Sequence, residues 1–173
     1  MWDRVNLYPV VSKSGIWRQV VLSDGKASFV KTSTVTAAAP NTGYPITFDT
    51  PIGNDGISQG TPASRIIFEE SGHYMLAFSA QIASTSSSTV NFWFWPVLNG
   101  VVLNGSYAIK AALHQNNATT VVSRTASFDV ASTDYLEVYW AVDSTSGVLQ
   151  VQSATAFAPS TPAVTLTITR LHG

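Results

Sequence analysis

Two apolar runs of different kinds dominate the chain. From His73 to Ile82 the residues alternate: Tyr74, Leu76, Phe78, Ala80 and Ile82 fall on one side, His73, Met75, Ala77, Ser79 and Gln81 on the other. A period of two predicts a strand with one buried face. The second run, Phe92-Trp93-Phe94-Trp95, is aromatic on both sides. Antiparallel strands ordinarily leave one face in water. This run therefore predicts a strand covered on its second face as well, by another copy of the chain. Alternation recurs from Tyr135 to Val142, where Leu136, Val138, Trp140 and Val142 share a side. It recurs again from Val164 to Leu171, where Val164, Leu166 and Ile168 alternate with Thr165, Thr167 and Thr169.

Turn signals separate these runs. Asn99-Gly100 is the strongest, because both central residues of a type I′ hairpin turn need positive φ. Val101 to Leu103 is expected to pair back from it, before a further turn at Asn104-Gly105. Asn54-Asp55-Gly56 and Glu69-Glu70-Ser71-Gly72 mark others. Shorter strands are expected over Ile46 to Phe48, Arg65 to Phe68, Tyr107 to Ala112, Val121 to Val130 and Val148 to Val151. No helical period of useful length occurs, so the pattern means an all-β sandwich or barrel. Near the start, Ile16 to Leu22 and Ala27 to Lys31 read as a hairpin around Ser23-Asp24-Gly25. Residues 32–43 are rich in Thr, Ala and Pro without periodicity, as a linker would be. Residues 1–43 are thus expected to form an N-terminal arm, and residues 44–173 the compact domain.

Composition narrows the function classes. At 173 residues the chain suits one domain and needs no disulfide or metal to hold a core. Charged residues are 11% of the chain, against a usual ~25%. The basic residues are scattered singly, which excludes a phosphate-binding patch and so nucleic acid as a partner. There is no cysteine. The N-terminal residues do not read as a signal peptide, and no apolar run is long enough to span a membrane as a helix.

Candidate chemistry is sparse. His73, His114 and His172 lack metal-ligand spacing, and adjacent Glu69 and Glu70 would point to opposite faces of a strand. Asp129, Asp134 and Asp143 can gather at one end of a sandwich, but no Asp-x-Asp-x-Asp calcium loop is present. No Gly-x-Ser-x-Gly elbow and no phosphate-cradling glycine loop occur. The expectation is a non-enzyme without a cofactor. The loops at residues 83–89, 113–120 and 143–147 are rich in Ser, Thr and Asn, but lack the aromatic platform that sugar binding usually needs.

As a set, these residues resemble a known superfamily. Gly72-His73-Tyr74 leads to Phe78-Ser79-Ala80-Gln81; Trp93 and Leu98-Asn99-Gly100 follow; then come Asp134-Tyr135-Leu136-Glu137-Val138, Trp140 and the strand Val164 to Leu171. This order resembles the jelly rolls of tumour necrosis factor and the complement globular heads, and within them virion proteins of tailed bacteriophages. One departure is Ser132-Thr133-Asp134, where the usual pattern has Gly-Asp before the Tyr. The resemblance implies a ten-strand antiparallel jelly-roll sandwich that assembles as a homotrimer, with the extended arm or hairpin ahead of it. Phe92, Trp93, Phe94, Trp95, Met75 and Tyr139 are then the expected trimer interface. Trp2, Tyr8 and Trp17 are expected to attach the arm to a shell. The implied function is a capsid decoration or cement protein on the outer surface of the virion, its partner the major capsid protein. The alternative is the tip of a head or tail fibre that binds a host-surface glycan.

Overall fold

In the strand Gly72–Ser84 (β9), the side chains of Tyr74, Leu76, Phe78, Ala80 and Ile82 are all buried, as the alternation predicts. β9 is the centre of one of two seven-stranded sheets in the computed structural model, which describes residues 10–13, 16–19, 25–49, 51–114 and 117–172. Earlier strands are Val10–Lys13 (β1), Ile16–Gln19 (β2), Lys26–Lys31 (β3), Val35–Thr36 (β4), Tyr44–Pro45 (β5), Ile52–Asp55 (β6), Ile57–Gln59 (β7) and Ile66–Phe68 (β8). Later ones are Val90–Leu98 (β10), Val101–Val102 (β11), Ile109–Leu113 (β12), Ala118–Val130 (β13), Tyr135–Val142 (β14), Gly147–Leu149 (β15) and Val164–His172 (β16). The one helical turn among the described residues is Gly105–Tyr107.

In the first sheet, β9 pairs with β13 along its whole length on one side and with β16 and β15 on the other. β3 lies on β16, β6 on β3, and β4 on β15. In the second sheet, β10 and β14 form the centre, in register from Phe92↔Val142 to Leu98↔Leu136. β11 and β12 flank β10; β5 and β8 flank β14, and β7 closes that side. The two sheets face each other across one apolar core. Phe78 and Phe94 meet across it with ring centroids 5.2 Å apart, and Phe68 meets Tyr74 at 4.8 Å. Edge-on and tilted pairs of this kind add to the area they bury.

The expected boundary at residue 43 is corrected. β3 is a sheet strand held between β16 and β6, and Phe29 is 0% exposed in the core against Phe48. Among the described residues Ala27 to Lys31 does not pair with Ile16–Gln19, the described part of the expected Ile16 to Leu22 strand; β2 pairs with β1 in a ribbon of its own. The supposed linker also carries structure: Ala37 is buried and Val35–Thr36 pairs with β15. Ile46 to Phe48 is not a strand, yet Ile46 and Phe48 are buried, and Ile46 N–H donates to the Val138 carbonyl at 2.8 Å.

The turns follow their chemistry. Asn99 and Gly100 have φ of 51° and 79°, and Leu98 pairs directly with Val101, as a type I′ turn requires. Asn99 Nδ2 donates to Asp134 Oδ1 at 2.7 Å, and Tyr135 N–H donates back to Asn99 Oδ1 at 2.9 Å. Thr133 has φ of 74°, a left-handed conformation at the position where the resembling pattern holds glycine. A β-branched residue is strained there. Thr133→Gly is therefore expected to stabilise the fold by about 1 kcal/mol, relief of strain outweighing the added freedom of the unfolded chain. Urea denaturation measures it; a loss of stability would mean that Asp134 and its partners over-determine the turn.

Candidate binding faces

β10 separates its aromatics by phase. Phe92 and Phe94 are 0% and 1% exposed and point into the core; Trp93 and Trp95 are half-buried on the outside of the second sheet. Phe92 and Phe94 are thus not interface residues, because the partner sheet already covers that phase. Met75 is half-buried on the outer face of the first sheet, on the opposite side of the sandwich. Of the expected interface, the structure brings together Trp93, Trp95 and Tyr139 alone.

These three form an aromatic face. Trp95 and Tyr139 are directly paired across β10 and β14, their rings stacked at 5.9 Å and 26°. Gly43 lies against the Trp95 ring: a Cβ added there would stand 2.9 Å from Cζ2, closer than such contacts occur. Gly43 and Tyr139 together pin the indole. Trp93 is in register with Lys110 of β12, whose Nζ stands 5.4 Å from the ring centroid. A cation over a Trp face is attracted by the ring quadrupole. Trp93 and Trp95 line an open depression of about 580 Å³ with Asn41, Gly43, Val102, Ala108 and Ala141. Sequence reasoning missed Gly43, Asn41 and Lys110, which come from a segment read as linker and from an edge strand.

Further along this face Glu137 is 7% exposed and accepts a 2.6 Å hydrogen bond from Ser64 Oγ. Arg65 stacks its guanidinium over Tyr135 at 4.2 Å. Burial pushes the Tyr139 hydroxyl above the ordinary tyrosine range; Glu137 and Tyr135 add to this, and Arg65 opposes it.

The outer face of the first sheet has a different character. Across β13, β9, β16 and β3 run the rows Ser123–Ser79–Thr165–Val30, Thr125–Ala77–Thr167–Ser28 and Ser127–Met75–Thr169–Lys26. Ser28 Oγ and Thr167 Oγ1 are 3.1 Å apart. Most side chains in these rows are short hydroxyls and methyls, and at the β3–β6 edge Ser28, Thr167 and Thr169 border a depression of about 270 Å³ with Ile52 and Gly53. Its charges stand at one end, where Lys26 ends the third row and His73 Nδ1 lies 2.8 Å from Asp129 Oδ1.

The remaining candidates are dispersed. Asp134 is engaged by Asn99 and by Ala131 N–H; Asp143 accepts from the backbone and side chain of Asn91 at 2.8 and 2.6 Å. Among the described residues no cluster of His, Asp and Glu has metal-binding geometry. Glu70 is paired with Arg170, and His114 Nδ1 lies 3.1 Å from Thr89 Oγ1. Trp2 and Tyr8 lie outside the described residues. Trp17 is on β2, opposite Ser12, and its side chain is likewise outside the description.

Comparison with known proteins decides the fold. No sequence family and no curated protein matches the chain. Among solved structures it is similar to the Eiger TNF of S. frugiperda, with a TM-score of 0.56 at 10% identity, over 84% of this chain and 91% of that one. The fold is a tumour-necrosis-factor-like jelly roll. At this identity the likeness carries the fold and nothing about activity. The jelly roll accounts for the two sheets and for the placing of the last strand, β16, between β9 and β3.

Proposed function

We propose that this jelly roll is a structural protein of a tailed-bacteriophage virion, a homotrimeric capsid decoration or cement protein that catalyses no reaction. The observation that carries the reading is the hydroxyl-rich face of the first sheet, whose central rows hold no charge, bordered by β13, a thirteen-residue strand that among the described residues pairs with β9 alone. A sheet edge of that length exposes a row of backbone donors and acceptors, which proteins ordinarily cover. Copies meeting on this face cover both the edge and the rows beside it. The trimer contact thereby moves from Phe92–Trp95 to the side of the sandwich that holds Met75. The partner at the shell is the major capsid protein, and the segment ahead of Gly25, with Trp2, Tyr8 and Trp17, is the attachment.

Two measurements test this. Light scattering on the eluting protein is expected to give about three times 18.5 kDa; an obligate contact of this kind buries well over about 1,600 Å² in total, so a stable monomer at micromolar concentration refutes the trimer. A chain lacking residues 1–24 is expected to stay trimeric and to lose binding to undecorated shells. Unchanged shell binding would place the contact on the jelly roll instead.

A second reading, a receptor-binding tip that docks on host-surface glycan, is favoured by the aromatic depression around Trp93 and Trp95. It supplies the platform that the Ser/Thr loops lack.

A further inference from the structure

We propose that the depression over Trp93 and Trp95 is a carbohydrate site that takes an acidic pyranose, its ring against the two indoles and its carboxylate within reach of Lys110. The inference rests on the receptor-binding reading for its biological use, but not for the binding itself.

Three features select a sugar. The first is shape. The depression is wide and open rather than a closed slot, and its volume of about 580 Å³ lies in the range of small-molecule sites, roughly 300–1,000 Å³. An apolar side chain from a protein partner gains most where it is enclosed on all sides; a pyranose needs one flat apolar wall and water on the other. Trp93 and Trp95 give such a wall. They are two residues apart on one strand, so both project on one face from backbone positions about 6.5 Å apart.

The second feature is rigidity. Trp95 is held between Gly43 and Tyr139 before any ligand arrives. A platform already ordered loses little side-chain entropy on binding. The half-buried Trp95 ring is braced at a residue where an added Cβ would press on it.

The third is polarity. Asn41, in the lining, is exposed, and among the described residues its side-chain amide makes no hydrogen bond, leaving donors and an acceptor for sugar hydroxyls. The lining itself carries no charge, and Lys110 stands over Trp93. The nearest carboxylate on β14, Glu137, is buried and hydrogen-bonded to Ser64. The local balance is cationic, which complements a uronic or other carboxylated sugar and disfavours a basic one.

The test titrates the full chain with methyl β-glucuronide and, separately, with neutral methyl β-glucoside, reading indole fluorescence and the tryptophan side-chain N–H shifts. Saturable binding of the acid is expected with a Kd on the order of 1 mM, and weaker binding of the neutral sugar. Trp93→Ala is expected to abolish both. Lys110→Ala is expected to reduce the acid about fivefold to the level of the neutral sugar, leaving the latter unchanged. Gly43→Ala, which pushes on Trp95, is expected to weaken both sugars alike; a retained thermal transition in each variant shows that folding is not the cause. The proposal is overturned if neither sugar shifts an indole signal at tens of millimolar, or if binding survives Trp93→Ala. It is also overturned if the indoles respond only after dilution to monomer, since the face would then lie between copies. Sugar binding by the protein together with normal adsorption of particles lacking it would keep the site and remove the receptor reading.

Discussion

A chain that begins at Tyr44 is expected not to fold, whereas one that begins at Gly25 is expected to melt like the full protein. The difference between the two is β3, with the short β4 after it. β3 supplies the neighbour of β16 along Lys26 to Lys31 and supports β6 on its other edge. It also places Phe29 and Ala27 in the core. Loss of one buried Phe alone costs about 3–5 kcal/mol, close to the whole net stability of a domain, about 5–15 kcal/mol. Removing the strand takes Phe29, Ala27 and the ladder of hydrogen bonds together, and exposes Leu166 and Ile168 to water. Far-ultraviolet dichroism and a thermal melt compare the two chains. A cooperative transition for the chain starting at Tyr44, within a few degrees of the longer one, would sink the assignment of β3 to the body.

The second large effect lies on β10. Phe94→Ala should cost about 3–5 kcal/mol, because it empties a site between the sheets against Phe78. Trp93→Ala, one residue away, should cost under about 1 kcal/mol, since it removes a side chain that water and Lys110 already border. The contrast is informative because the larger side chain gives the smaller loss. Paired urea titrations read it; equal losses would mean that the phase of β10 is reversed, and with it the aromatic face.

What could be read from the chain, and what could not, follows from how local each signal is. The phases of β9, β14 and β16 were legible because alternation sits within one strand and needs no knowledge of the neighbour. The Asn99-Gly100 hairpin was legible because positive φ is a property of two adjacent residues. β3 was misassigned because its partner is at the far end of the chain, and the aperiodic residues 32–43 looked like a break. Phe92 to Trp95 carried too little information to tell the core from a second interface: aromatic side chains on both phases say that both are covered or sticky, not by what. The depression was invisible for the same reason, since Asn41, Gly43 and Lys110 reach Trp93 and Trp95 only through the fold.

The placing of β16 has a kinetic consequence. Ser28 and Thr167 are neighbours across strands although they lie 139 positions apart in the chain. The strand that joins β3 to β9 is thus the last described strand to leave the ribosome, and the first sheet stays in two parts until it arrives. Closing so long a loop costs entropy before any contact is gained. Refolding on the scale of milliseconds to seconds, typical of non-local β topologies, is expected. During that wait β3 and β9 both carry open edges, the state in which strands of different chains pair wrongly. Yield on expression should therefore fall steeply with synthesis rate and temperature, even though the finished molecule has its core fully enclosed.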